Sequence, residues 1–346
     1  MDVRAHAPGR VNLIGDHTDY AGGLALPFAI DLGTTIDGTI GGDRLSLVSS
    51  AVDERVDLPI GATEATGWGR YAAAVAAELG IDEGFTGSVM SDLPIGSGLS
   101  SSASLEIALA LALGFEGTPL ELARLGQRTE HRAVGVPCGL LDQLAIVEGR
   151  SGHAMCIDFA DLSIEHVPIP DDLDIVVVHS GQERALADSQ YAERQASCGR
   201  AASIVGPLAT ADIVDIDRIP DETVRMRARH VSTECARVRE AVDALRRDDR
   251  PLLGALMTGS HRSLRDDFEV STPKLDRLVE RLLRVPGVHG ARLTGAGFGG
   301  CVVAIAERGA IPDPTAFSRR GWIVRPADGA TCDRGDRPSW PGTRPR

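Results

Sequence analysis

The sequence predicts a mixed α/β fold in two domains, and three observations carry that expectation. Strand-like apolar runs alternate with helical stretches through the first half of the chain. A second block of strand character opens after residue 173, where Ile175, Val176, Val177 and Val178 stand together as in a buried strand. The length, 346 residues, suits two domains of about 150 residues each. The expected boundaries are 1–173 for the first domain and 174–328 for the second. Residues 329–346, rich in Gly, Pro, Arg and Asp around Trp340, read as a disordered tail.

The elements follow in order. Val11, Asn12, Leu13 and Ile14 make a short strand-like run closed by Gly15, and residues 45–48 have strand character after a Gly-Gly-Asp turn. Residues 68–79 space Tyr71, Ala74, Val75 and Leu79 as on one helix face, with Gly80 as the stop. A strand at 87–90 leads into a glycine- and serine-rich loop, and residues 104–113, leucine and alanine with Glu106, read as a buried helix. Beyond the strand at 174–180, residues 191–205 and 224–245 read as helices whose arginine and glutamate runs are solvated faces. Two last strands, 288–293 and 301–306, flank a second glycine loop.

Composition excludes several functions. The chain carries 36 basic and 49 acidic residues, a formal charge of −13, which argues against non-specific nucleic-acid binding. Lys274 is the single lysine, so a phosphate-loop lysine, a Schiff base and a protein-kinase strand lysine are all missing unless that residue supplies them. The six cysteines show neither CxxC nor zinc spacing and read as reduced thiols. There is no apolar leader and no run long enough to span a membrane, so the expectation is a cytoplasmic protein.

Three loops and one carboxylate carry chemistry. Gly96, Ser97, Gly98, Leu99, Ser100, Ser101 and Ser102 lie between a strand and a helix, where loop amides and the helix N-terminus can hold an anion and a serine can bind Mg²⁺. Simple N-capping by Ser100, Ser101 or Ser102 is the plainer alternative. A dinucleotide fingerprint fails, because the third glycine is a serine and the acidic residue about 20 positions on is misplaced. Four glycines within 295–300 suggest a backbone that something approaches closely, with a flexible hairpin as the alternative. Arg10, Asp16, His17, Asp19 and Tyr20 gather at one strand end, a donor and acceptor set suited to a polyhydroxylated ligand, or to an ordinary polar turn. Asp142 stands in an apolar helical stretch near Gly139 and reads as a buried carboxylate beside room for a ligand, or as a satisfied core aspartate.

Together these segments resemble one family. Gly9-Arg-Val-Asn-Leu-Ile-Gly-Asp-His-Thr-Asp-Tyr20 resembles the galactokinase signature. Leu93-Pro-Ile-Gly-Ser-Gly-Leu-Ser-Ser-Ser-Ala-Ser104 and Arg292-Leu-Thr-Gly-Ala-Gly-Phe-Gly-Gly-Cys301 resemble two motifs of the wider superfamily of galactokinases and homoserine, mevalonate and phosphomevalonate kinases. Cys138-Gly-Leu-Leu-Asp-Gln143, the segment 260–270 and the segment 189–194 are similar to galactokinase segments, and the likeness runs from about residue 7 to 329.

The resemblance implies a two-domain α/β fold with the active site in the cleft between domains, and ATP-dependent phosphorylation of D-galactose at its C1 hydroxyl. It gives Asp142 as general base and Arg10 as stabiliser of the transferring phosphoryl group. It assigns the nucleotide to Gly96, Ser97, Gly98, Leu99, Ser100, Ser101, Ser102 and Ser49, and Mg²⁺ to Ser102 and Glu130. Sugar contacts fall to Asp16, His17, Thr18, Asp19 and Tyr191. The implied partners are ATP and a hexose, with no nucleic acid, no membrane and a monomeric state. One departure matters: Asp16 stands where galactokinases usually carry glutamate, which shortens the reach toward the sugar by about 1.5 Å. A kinase for galactosamine, galacturonate or arabinose is the nearest alternative, and a sugar sensor without turnover the next.

Overall fold

The computed structural model describes residues 1–135, 138–182, 187–335 and 340, and of 187–189 only the backbone. Pro137, the Ser189 side chain and tail residues 336–339 and 341–346 lie outside the described residues. Thirteen strands and nine α-helices are described. The first part holds β1 (Asp2–Asn12), β2 (Leu24–Ala25), β3 (Pro27–Ile40), β4 (Arg44–Ser49), β5 (Val56–Pro59), α1 (Gly69–Leu79) and β6 (Phe85–Ser91). Then come α2 (Ser101–Ala112), α3 (Pro119–Val134), α4 (Leu141–Val147), β7 (His153–Asp158), β8 (Ser163–Pro168) and β9 (Leu173–His179). The remainder is α5 (Ala187–Val205), α6 (Ile213–Ile216), α7 (Glu222–Arg246), α8 (Arg250–Asp266), α9 (Pro273–Leu283), β10 (Val288–Thr294), β11 (Cys301–Glu307), β12 (Gly321–Val324) and β13 (Thr331–Asp333).

Three sheets result. The largest runs β13-β1-β3-β6-β4-β5, with β4 and β6 parallel and the other pairs antiparallel; the second runs β10-β11-β9-β12, and the third β2-β7-β8. One apolar core fills the space between the six-stranded sheet and α1 to α4. The other lies between the four-stranded sheet and α5, α7, α8 and α9, and it also takes in Val11 at the end of β1, Leu13 just beyond it, and Phe28 and Ile30 at the start of β3. The strand that opens the chain therefore reaches from one core into the other. A register shift between Pro8 and Arg10 marks the point of passage.

Helix limits follow local chemistry. Thr118 and Glu121 form a reciprocal capping box on α3, with Pro119 in the first turn and Gly135 as a left-handed stop. Asp221, Asp249 and Thr272 cap α7, α8 and α9 with side-chain oxygens. Lys274 sits exposed in the first turn of α9.

The tail expectation is corrected for residues 329–335 and 340. Ala330 and Cys332 turn into the first core, and β13 pairs with β1 as an antiparallel edge strand. Arg334 donates to the carbonyls of Leu111 and Phe115 at the end of α2, and the Trp340 indole donates to Gly117 O at 3.1 Å. A composition rich in Gly, Pro and Arg concealed two inward-facing apolar residues and one anchoring ring.

Candidate active site

β1 carries Arg10 to the place where the loop before α2 crosses it. The crossing requires a glycine at position 9, because a Cβ there would meet Leu93 Cδ2 at 2.5 Å and Leu99 O at 2.7 Å. Arg10 then donates its backbone N–H to Leu99 O at 3.3 Å and Nη1 to Gly98 O at 2.7 Å, while Nη2 pairs with Asp142 Oδ1 at 2.6 Å. The guanidinium thus ties strand, loop and α4 together.

Asp142 differs from its expectation as a buried carboxylate. α4 begins at Leu141, so Asp142 lies in its first turn, and 35% of the side chain is exposed to a cleft of about 500 Å³. The wall of that cleft gathers Arg10, Asp16, His17, Asp19, Gly96, Ser102, Glu130, Asp142 and Tyr191, with Gly295 and Ala296 from the hairpin between β10 and β11. Sequence reasoning gave no site role to Arg70, Tyr71 or Gln143, which line the same cleft.

Other expected site residues fall elsewhere. Thr18 is fully buried, its hydroxyl donating to Gly15 O at 2.9 Å and Leu24 O at 2.8 Å, so it braces the turn and does not face the cleft. Ser97 is equally buried and donates to Pro94 O at 2.7 Å, while Leu99 points into the core. Gly98 presents its carbonyl to Arg10. Ser49 and Ser101 line a second, mostly apolar cavity of about 140 Å³ beside Trp68, Val89, Leu93, Ile95 and Leu105. Tyr71 and Ser102 border both cavities, so the two adjoin there. None of the expected caps at the start of α2 forms through Ser100, which makes no side-chain cap bond.

At the opposite wall, His17 Nε2–H donates to Ala296 O at 3.2 Å and Nδ1 accepts from the Tyr20 hydroxyl at 3.0 Å, with the imidazole 5.4 Å from the Tyr191 ring and 4.7 Å from that of Phe268. Asp16 is 4% exposed and both its oxygens are engaged: Oδ2 accepts from Arg292 Nη2 at 2.5 Å, and Oδ1 from the Gly295 N–H at 3.1 Å. Arg292, fully buried, also donates to Asn12 O and Leu13 O and lies 4.0 Å from Glu234. Burial favours the neutral form of Glu234, but the charges of Arg237, His230 and Arg292 outweigh it and hold that carboxyl down to about 2. A lone arginine within the apolar stretch 288–293 was the sequence signal for this network.

Asp19 sits against Gly139, where a Cβ would meet Asp19 Oδ2 at 1.7 Å. Burial, and then the charge of Asp142, push the Asp19 carboxyl up to about 6, partly opposed by the N–H groups of Tyr20 and Leu141. Glu106, wholly buried on α2 behind the cleft, is pushed well above the ordinary carboxylate range by burial and by Glu130 beside it.

Among the described residues, no three His, Cys, Asp or Glu side chains converge as a metal site. Ser102 and Glu130, the expected pair, both line the cleft and bring a hydroxyl and one carboxylate to it. That sparse donor set fits Mg²⁺, which keeps waters and takes one or two carboxylates together with substrate phosphates.

Comparisons with known proteins identify the family. Residues 2–38 match the galactokinase galactose-binding signature, 68–150 the N-terminal domain of GHMP kinases and 241–313 their C-terminal domain. Human galactokinase is 41% identical over 338 residues, covering 90% of this chain and 85% of its own. The chain belongs to the galactokinase family. The galactokinase of Bos taurus is 40% identical over the same shares. The structure of Lactococcus lactis galactokinase complexed with galactose superposes with a TM-score of 0.89 at 33% identity, covering 95% of each chain. Methanococcus jannaschii mevalonate kinase, 22% identical with a TM-score of 0.67, shares the fold. The galactokinase-family chain is thus an enzyme of mixed α/β architecture, built from the N- and C-terminal GHMP kinase domains.

Proposed function

We propose that this enzyme transfers the γ-phosphoryl group of ATP to the C1 hydroxyl of D-galactose, with Asp142 as the base. The observation that carries the reading is the Arg10–Asp142 ion pair on the cleft wall, flanked by the phosphate loop on one side and the sugar signature on the other. Phosphoryl transfer asks for positioning and charge stabilisation more than covalent participation. The Asp142 carboxylate accepts the hydroxyl proton as the sugar oxygen bonds to phosphorus and ADP departs with the electron pair of the broken P–O bond. Arg10, fixed through Gly98 O, holds the carboxylate in place and faces the charge of the transferring group. Ser102 and Glu130 would hold Mg²⁺, which when bound neutralises phosphate charge. Asp19 and Tyr191 supply acceptors and donors for sugar hydroxyls, His17 walls the sugar site with its ring while its nitrogens hold Ala296 O and the Tyr20 hydroxyl, and Asp16 steadies the hairpin over them. The reading carries a cytoplasmic location with it.

The second cavity suits the nucleotide base. Its apolar lining ends at Ser102 and Tyr71, so a base seated there delivers its phosphates along the loop toward Asp142. Trp68→Ala, which removes an aromatic wall worth about 1–1.5 kcal/mol, is expected to raise KM for ATP roughly tenfold and leave KM for the sugar unchanged. An unaltered KM for ATP would move the base elsewhere.

Asp19 gives a pH test. Its carboxylate, the form that accepts sugar hydroxyls, predominates above its value of about 6 and is lost as pH falls through it. KM for the sugar is therefore expected to rise severalfold between pH 7.5 and 5.5, and to be flat in Asp19→Asn. A flat profile in the parent would remove Asp19 from sugar binding.

Asp16 favours a second reading. Its short side chain is spent on Arg292 and Gly295, so the sugar position that a glutamate would reach is left to other groups. ADP release measured with galactose, galactosamine, galacturonate and arabinose, for the parent and for Asp16→Glu, distinguishes the substrates. Rejection of galactose by the parent and acceptance by the variant would make another sugar the substrate.

A further inference from the structure

Ser100 holds a backbone conformation that serine adopts at a cost. It precedes α2 with φ +60° and ψ +44°, in the left-handed region that glycine occupies freely. A serine before a helix ordinarily turns its hydroxyl onto an N–H of the first turn, and this one does not. Instead the hydroxyl, on a residue 7% exposed, donates across to Oδ2 of Asp142 on α4. Oδ1 of the same carboxylate is held by Arg10 at 2.6 Å. Gly98 and Leu99, immediately before Ser100, accept from the Arg10 side chain and backbone respectively. Three successive loop residues thus hold either Arg10 or Asp142.

We infer that Ser100 is a positioning residue for the base: its hydroxyl, aimed by the left-handed backbone, fixes the Asp142 carboxylate and couples its orientation to the phosphate loop. The inference rests on the sugar-kinase reading above. With Oδ1 tied to a guanidinium and Oδ2 to a hydroxyl, the carboxylate plane cannot turn, and the second lone pair of Oδ2 stays directed into the cleft for the sugar proton. The Ser100 proton remains on Oγ throughout. This role differs from that of a phosphate donor, in which the hydroxyl would strengthen ATP binding and leave the base untouched.

Ser100→Gly and Ser100→Ala separate the two roles. Glycine takes the left-handed backbone without strain, so the first variant is expected to be at least as stable as the parent in thermal unfolding. Both variants are expected to lose kcat for ADP release by at least about tenfold, with KM for ATP and the dissociation constant for ATP, read from tryptophan fluorescence, within about twofold of the parent. A raised KM for ATP with kcat retained would make Ser100 a phosphate ligand and overturn the inference. Full kcat in the glycine variant would overturn it too, even if the alanine variant fails to fold. A parent that releases no ADP with any sugar overturns the kinase reading and this inference with it, whereas an active parent beside an unimpaired glycine variant sinks the inference alone.

Discussion

Asp142→Asn is expected to reduce phosphoryl transfer by roughly 10²–10⁴-fold while ATP still binds. Asparagine matches aspartate in shape, so the first turn of α4 and the Ser100 contact persist. It cannot take the sugar proton, and it no longer neutralises Arg10, whose side chain is 7% exposed at the base of the cleft. The guanidinium keeps Gly98 O as a partner, which limits the structural damage to the cleft itself. ADP release in the presence of sugar, set beside equilibrium ATP binding on the same preparation, decides the matter. Turnover near the parent's rate would take Asp142 out of the chemistry, and loss of ATP binding along with turnover would show that the substitution had disturbed the loop.

Arg292→Met is the substitution with the largest expected effect on stability. Arg292 is fully buried and compensates Asp16 at 2.5 Å, with Glu234 4.0 Å away. Glu234 retains Arg237 at 2.7 Å and Ser260, but Asp16 is left with the Gly295 N–H alone. Breaking a buried pair by removing one member costs about 3–5 kcal/mol, because the remaining charge stays desolvated. Chemical unfolding should show the midpoint falling at an unchanged slope. The same variant removes a donor from the carbonyls of Asn12, the last residue of β1, and of Leu13 just beyond it, and so loosens the end of the strand that carries Arg10. A loss under about 1 kcal/mol would mean that the network relaxes onto water.

Much of this was legible in the sequence because it depends on spacing. Apolar periodicity located the helices at 68–79, 104–113 and 224–245 to within a few residues, and the glycine-rich runs located the loops. What spacing cannot show is the partner of a particular atom. Three hydroxyls, on Thr18, Ser97 and Ser100, belong to motifs that look uniformly ligand-facing. The first two close their own turns, while the third reaches a residue 42 positions away. Asp142 looked buried because its neighbours are apolar, and only the start of α4 at Leu141 decides that its carboxylate emerges at a helix end. The Arg292–Asp16 pair spans 276 positions and leaves a trace only as a cation in an apolar run. The tail was misread because average composition outweighed Ala330, Cys332 and Trp340.

The pairing of β13 with β1 sets an order on the molecule's assembly. β1, with Arg10 near its end, is made well before β13, yet one of its two edges is paired by residues 331–333 of that distant strand. Until then that edge of the large sheet presents unpaired N–H and C=O groups to any other extended chain. The cost of joining such distant segments is entropic and is met late. Shortening the chain ahead of β13 would make that transient exposure permanent, and self-association of the truncated enzyme, followed by light scattering, is the sign to look for.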